Sequence, residues 1–269
     1  MSTLRVTELW IYPVKSCRGI ALDRAEVSAR GLRRDRHWMV VDEAGRFLTQ
    51  RDLPAMATIA PVVAPGALLL RAPGRPDLEL PDDAAAGEAV VTVWRDTLKA
   101  RAVSGAADRW LSEHLGVACR LVRFADDVRR AVDPAYGAPG DETAFSDGFP
   151  LLLLGQGSLD ELNRRLSHAL PMRRFRPNLV VAGAAPHAED GWRRIRVGPV
   201  TLRLVKPCSR CAITTVDPDL GVRDGTEPLQ TLATYRRRDG KVYFGQNVIP
   251  AGAGEIRVGD AVEVLDDAR

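Results

Sequence analysis

The chain has 269 residues, 45% of them hydrophobic and 27% charged, with a formal net charge of +3, enough to bury one large core or two modest ones. Its longest strongly apolar run, Phe149 to Leu154, falls far short of the roughly 20 residues of a membrane-crossing helix, and the opening MSTLRVTELW lacks a signal peptide's apolar stretch, so a cytoplasmic protein is expected. The arginines are dispersed rather than clustered, which argues against an extended nucleic-acid surface and suits a small anionic ligand.

RVTELWIYPV alternates apolar and polar residues and predicts a strand. ALDRAEVSA follows and, past a turn at Gly31, HWMVVDEAGRFLTQ, where Glu43-Ala44-Gly45 predicts a hairpin turn. Ala57 to Ala102 continues in short apolar runs broken by Pro and Gly, so the first hundred residues are expected to form a barrel or sandwich. Ser104 to Leu115 is the first predicted helix, because Trp110, Leu111, His114 and Leu115 share a face. CRLVRF predicts another strand. Asp126 to Ser146, rich in Pro, Gly, Asp and Ala, predicts a linker or long surface loop. The expected domains are therefore 1–122 and 123–269.

Beyond that loop, FPLLLLGQGSLDELNRRLSHAL predicts a buried strand, a turn and a helix, with Ser158 and Glu161 at capping-box spacing. NLVVAG, RIRVG and VTLRLVK predict strands. Pro228 to Arg237 predicts a helix with proline at its start, and EIRVGDAVEVL a hairpin turning at Gly259-Asp260. The expected class is a β-rich α+β protein, strands dominating both halves and helices peripheral.

Of four cysteines, only Cys208 and Cys211 form a C-x-x-C pair, without the second pair or nearby histidine of a zinc site. None of His37, His114, His168 and His187 is spaced as a metal pair. In KPCSRCAITTVDPDLG, Cys211 follows Arg210 at the mouth of a β-branched run; a neighbouring guanidinium favours the thiolate, the form that ligates metals. The competing reading makes both cysteines small buried hydrophobes at a strand edge. Cys208, between Pro207 and Ser209, has no adjacent charge. Cys17 and Cys119 read as packing residues.

RCAITTVDPDLG, together with WIYPVKSCRGI, FRPNLVV and FGQN, resembles the MOSC family, and within it the branch of the amidoxime-reducing components and their bacterial relatives. The resemblance runs through nearly the whole chain and implies an N-terminal MOSC β-barrel domain followed by a MOSC domain. It implies a molybdenum cofactor, with Cys211 as catalytic thiolate ligand to the metal. Ser209 and Arg210 match positions lining the cofactor; Lys15, Ser16, Arg36 and Arg176 match positions that hold its pterin and phosphate. Asn178 supports the same pocket, and Asp217 and Asp219 lie close to the metal-binding segment. Asn247 departs from the aromatic residue of some relatives. In the loop APHAEDGW, Glu189, Asp190 and Trp192 match a family-like stretch expected to border the substrate opening, whereas His187 reads as an ordinary loop histidine, with approach to the same site as the alternative.

The activity this implies is reduction of N-hydroxylated small molecules such as amidoximes, hydroxylamines or hydroxylated nucleobases. Some bacterial relatives continue into a ferredoxin-like domain, whereas this chain stops at Arg269, so electrons are expected from a separate ferredoxin-like protein or flavoprotein. The rival is a cofactor-binding or sulfur-carrier protein without reductase activity, although no aminotransferase-like domain with a pyridoxal lysine accompanies it. A third reading is a binding barrel with an accidental cysteine pair.

Overall fold

The computed structural model describes residues 3–267, in which nineteen strands outnumber three α-helices. No helix among them is long and apolar enough to cross a membrane. The strands form four sheets. The largest runs in the order Val262–Asp267, Trp192–Val197, Val200–Ser209, Lys241–Pro250, Leu151–Gly155, Leu179–Ala182, Arg5–Ile11 and Ile20–Leu22, with Arg237–Arg238 paired beside Lys241–Pro250. Leu151–Gly155 is buried along nearly its whole length because it sits mid-sheet and is covered on both faces. It pairs in parallel with Leu179–Ala182, and the helix Gln156–Arg165 makes the crossover that a parallel pair needs.

Trp38–Val41, Arg120–Phe124, Asp96–Ala102 and Gly87–Val93 make a four-stranded antiparallel sheet. Its strand Gly87–Val93 buries every second residue from Ala89 to Val93, the pattern expected of a strand with one wet face. The helix Gly105–Leu115 packs beside it, with the Ser104 hydroxyl accepting from Ala107 N–H and Gly116 ending it in the left-handed conformation. Two three-stranded sheets complete the fold. Two of the four sheets draw strands from both sides of residue 122, since Arg5–Ile11 pairs with Leu179–Ala182 and Arg24–Ser28 with Gly254–Arg257.

Three local expectations are corrected. Gly259 and Asp260 do not turn a hairpin: Gly254–Arg257 pairs with Arg24–Ser28 and Val262–Asp267 with Trp192–Val197. The turn is instead stitched to Val6, whose N–H donates to Asp260 O and whose carbonyl accepts from Gly259 N–H. The helix after Pro228 covers only Leu229–Ala233, because Arg237–Arg238 is drawn into a hairpin with Lys241–Pro250. Ser158 and Glu161 form no capping box. Gly155 leads straight from strand into helix, and the buried Glu189 carboxylate takes the Gly155 N–H (3.0 Å) and the Ser158 hydroxyl (2.6 Å). Glu161 pairs with Arg165 along the helix (2.8 Å). The long segment 126–146 does lack regular structure, yet its end is pinned: Thr143, Ala144 and Phe145 are buried, and Arg130 Nη1 donates to Ala144 O at 2.9 Å.

Candidate functional site

One cavity of about 140 Å³ draws its walls from both halves of the chain. Lys15, Ser16, Arg36, Arg176, Asn178, Ser209, Arg210, Cys211 and Asn247 all line it, residues far apart in sequence. Lys15 N–H donates to Trp38 O (2.8 Å) and Cys17 N–H to Val14 O (3.0 Å), a tight turn that puts Ser16 at φ 66°. The Lys15 ammonium is buried, donates to Phe145 O (2.9 Å) and pairs with Asp147. Burial pulls the Lys15 ammonium below its usual range, opposed by the Asp147 carboxylate. Crowding by protein works against ionisation of Asp147, but the Lys15 ammonium and hydrogen bonds from Lys15 and Trp94 Nε1 (3.1 Å) outweigh it and hold the carboxyl below its ordinary range.

Arg36 and Arg176 lie against the Tyr12 ring, 4.3 and 4.2 Å from its centroid. Arg36 Nη1 donates to Asp35 Oδ2 (2.7 Å) and to Asn178 Oδ1 (3.2 Å), and its Nη2 to the Arg176 carbonyl (3.2 Å). Burial pushes the Asp35 carboxyl up, against the pull of Arg36. Arg176 Nη1 donates to Cys17 O (2.7 Å), whereas its Nη2 is buried with no acceptor among the described residues. Burial first, then repulsion from Arg36, pushes Arg176 down to about 10. A desolvated guanidinium nitrogen without an acceptor is costly unless a ligand oxygen meets it. Seven described non-glycine residues have positive φ, and three of them, Ser16, Arg36 and Arg176, line this cavity. Backbone of that kind stores on the order of 1–3 kcal/mol per residue and concentrates where geometry serves a site.

Asn178 is buried and fully engaged. Its Nδ2 donates to Trp10 O (3.0 Å), and its Oδ1 accepts from Leu152 N–H (3.1 Å) as well as from Arg36. It therefore joins two strands and aims a guanidinium. Asn247 Nδ2 donates to Lys206 O at 3.3 Å, and Ser209 is exposed at the end of its strand.

Cys211 is exposed, lines the cavity and opens the 3-10 helix Ala212–Thr215, where Thr214 N–H donates to its carbonyl (3.2 Å). The buried-hydrophobe reading thus fails for this cysteine. The expected partnership of Arg210 with Cys211 is corrected: Arg210 Nη1 donates to Cys208 Sγ (3.2 Å) and Nη2 to Phe175 O (2.6 Å). In extended chain, residues two apart share a side and neighbours do not, so 208 and 210 meet where 210 and 211 cannot. Cys17 is a buried core residue whose thiol burial pushes up to about 12, and Cys119 is buried as well.

Asp217 does not line the cavity. Its Oδ1 accepts from Asp219 N–H and Leu220 N–H (both 2.8 Å), closing the turn after the cysteine segment, and its Oδ2 pairs with Arg174 at 3.4 Å. Asp219 pairs with Arg173. Glu189, Asp190 and Trp192 are also absent from the cavity wall. Glu189 caps the crossover helix, Asp190 binds Arg236 (2.6 Å) and Gln246 (2.7 Å), and Trp192 sits in the core of the large sheet, so these polar groups already have buried partners. His187 packs on Tyr235 and Phe244. Sequence reasoning missed Thr49, Arg51, Asp147, Phe149 and Cys208. The one available signal was the charged S-D-G-F turn immediately before the buried strand.

Residues 3–118 match the MOSC N-terminal beta barrel domain and residues 140–263 the MOSC domain. The chain is 38% identical over 279 residues to mitochondrial amidoxime-reducing component 1 of Mus musculus, covering 97% of this chain and 82% of that protein. It is 38% identical over 278 residues to its Homo sapiens counterpart, with the same coverage. With mitochondrial amidoxime reducing component 2 of Bos taurus the identity is 36% over 275 residues, covering 96% of this chain and 82% of that protein. Likeness of this extent, through both domains, means that the chain belongs to the MOSC-domain family of the amidoxime-reducing components.

Proposed function

We propose that this protein is a reductase of N-hydroxylated small molecules that holds a molybdenum cofactor in the cavity between its two halves, with Cys211 as the thiolate ligand to the metal. The observation that carries this reading is the composition of one cavity: an exposed thiol together with a guanidinium, that of Arg176, one of whose nitrogens is buried without an acceptor among the described residues. The residues fit a pterin bearing a phosphate. Arg176 Nη2 needs an anionic oxygen, Lys15 and Arg36 add positive charge beside it, and Ser16, Ser209 and Asn247 offer hydroxyl and amide groups for a heterocycle.

When bound, the cofactor supplies the two-electron redox chemistry that converts an N–OH compound to its N–H form and water. The chain's own work is positional. Asp35 and Asn178 hold Arg36 in place, Cys17 O holds one edge of Arg176, and the Thr214 contacts to Cys211 O fix the backbone from which the thiol projects. Arg210 steadies Cys208 and the Phe175 carbonyl, so it organises the cysteine segment rather than activating Cys211. Electrons come from a separate ferredoxin-like protein or flavoprotein, and the setting is cytoplasmic.

The test is elemental analysis of protein made in a cofactor-competent host, followed by hydroxylamine reduction with an artificial donor. Wild type carries stoichiometric molybdenum and turns over. Cys211→Ser folds normally but loses turnover. Full activity in that variant overturns the ligand role, absence of molybdenum in the wild type overturns the whole reading, and molybdenum without turnover favours a carrier.

A further inference from the structure

A second depression, of about 880 Å³, adjoins the cavity and shares Asp147, Gly148 and Phe149 with it. Trp94 forms part of its wall and is 49% exposed. This tryptophan stands in a two-residue loop, Trp94-Arg95, that joins the paired residues Val93 and Asp96. Its φ is 57°, and at the first position of such a loop positive φ favours glycine. A bulky side chain there is strained, so local folding does not explain its presence.

The indole is nonetheless fixed. Its Nε1 donates to Asp147 Oδ1 at 3.1 Å, the Arg51 guanidinium lies 4.9 Å from its ring and the Phe47 ring 5.2 Å away. Asp147 and Arg51 both line the cavity, so Trp94 is tied to the cavity rim while half its surface stays open. Phe149, also in the wall of the groove, packs against Tyr136 at 5.9 Å.

Resting on the function proposed above, we infer that this groove is the substrate-binding site and that Trp94 and Phe149 select planar aryl or heteroaryl N-hydroxylated compounds. An aromatic ring held rigidly and half exposed recognises a flat π-system by offset or edge-to-face contact, and it does so with little loss of side-chain freedom. A groove continuous with the cavity through three shared residues lets a ring rest on the aromatic wall while its N–OH group enters beside Cys211.

The experiment has two arms. Calorimetric binding of an aryl amidoxime to the non-turning-over Cys211→Ser protein, with and without Trp94→Leu or Phe149→Leu, reads the groove without any catalysis. Either substitution weakens binding about tenfold, and Trp94→Phe, which keeps a ring but loses the indole N–H, restores most of it. In the active enzyme, Trp94→Leu lowers kcat/KM for the aryl amidoxime about tenfold relative to that for hydroxylamine, through KM. Unchanged aryl binding in both leucine variants overturns the inference while leaving the reductase reading intact. Weakened binding in a protein that reduces no N-hydroxylated compound supports the groove and removes the reductase reading.

Discussion

Asn178→Ala connects the fold to the site most directly. The side chain is 1% exposed and makes three hydrogen bonds, to Trp10 O, Leu152 N–H and Arg36 Nη1, at 3.0, 3.1 and 3.2 Å. Truncation removes three hydrogen bonds and strands two groups, Trp10 O and Leu152 N–H, since Arg36 has other acceptors. At roughly 1–1.5 kcal/mol for each stranded group, the expected destabilisation is about 2–3 kcal/mol. That leaves a domain of ordinary stability folded but measurably weaker. Urea unfolding at neutral pH reads the loss as a lower midpoint at unchanged slope. Arg36 keeps Asp35 and the Arg176 carbonyl, so it remains in the cavity but less tightly aimed, and molybdenum occupancy should fall in parallel. Asn178→Asp retains the acceptor for Leu152 and Arg36 and loses only the donor to Trp10 O, so its stability lies between wild type and Asn178→Ala. A loss below about 1 kcal/mol in Asn178→Ala would refute the reasoning, because Trp10 O and Leu152 N–H would then have to find other partners.

His37 is the expected acid-sensitive point: burial first, then Arg123, Arg30 and Arg34, with Asp126 opposing, push it from 6.5 down to about 4. Because the folded value lies below the unfolded one, the native state favours the neutral ring; its contribution is complete above pH 6.5 and is lost as pH falls toward 4. Between pH 7.5 and 5.0 wild type should lose about 2 kcal/mol that His37→Gln does not, and parallel pH slopes for the two proteins would contradict this. Arg176→Gln and Arg176→Lys should both lower molybdenum occupancy at least tenfold, since neither keeps a fork that holds Cys17 O with one nitrogen and leaves a second free for an anionic oxygen; full occupancy in Arg176→Lys would show that charge alone suffices.

The β-rich class, the helix at 105–115 and the strand–helix crossover at 151–165 were legible in the sequence, because local apolar periodicity governs them. The motif around Cys211 was legible too, and so was the grouping of Lys15, Arg36 and Arg176, but only through a resemblance that no single residue carried. Glu189 and Asp190 show what was not legible: two carboxylates in a polar loop read as a site border, and tertiary packing gives one to Ser158 and Gly155 and the other to Arg236 and Gln246.

By itself the amino-acid order determined which segments would be strands and which residue types could meet an anion or a metal. It left open which edge each strand would choose, because an edge's hydrogen bonds are alike whichever partner completes them. Only the assembled sheets decided that Gly254–Arg257 and Val262–Asp267 part company, and that a strained tryptophan at a hairpin tip reaches the rim of the cavity. Those outcomes depend on contacts between residues tens to hundreds of positions apart, where side-chain direction and packing select among partners that are locally equivalent.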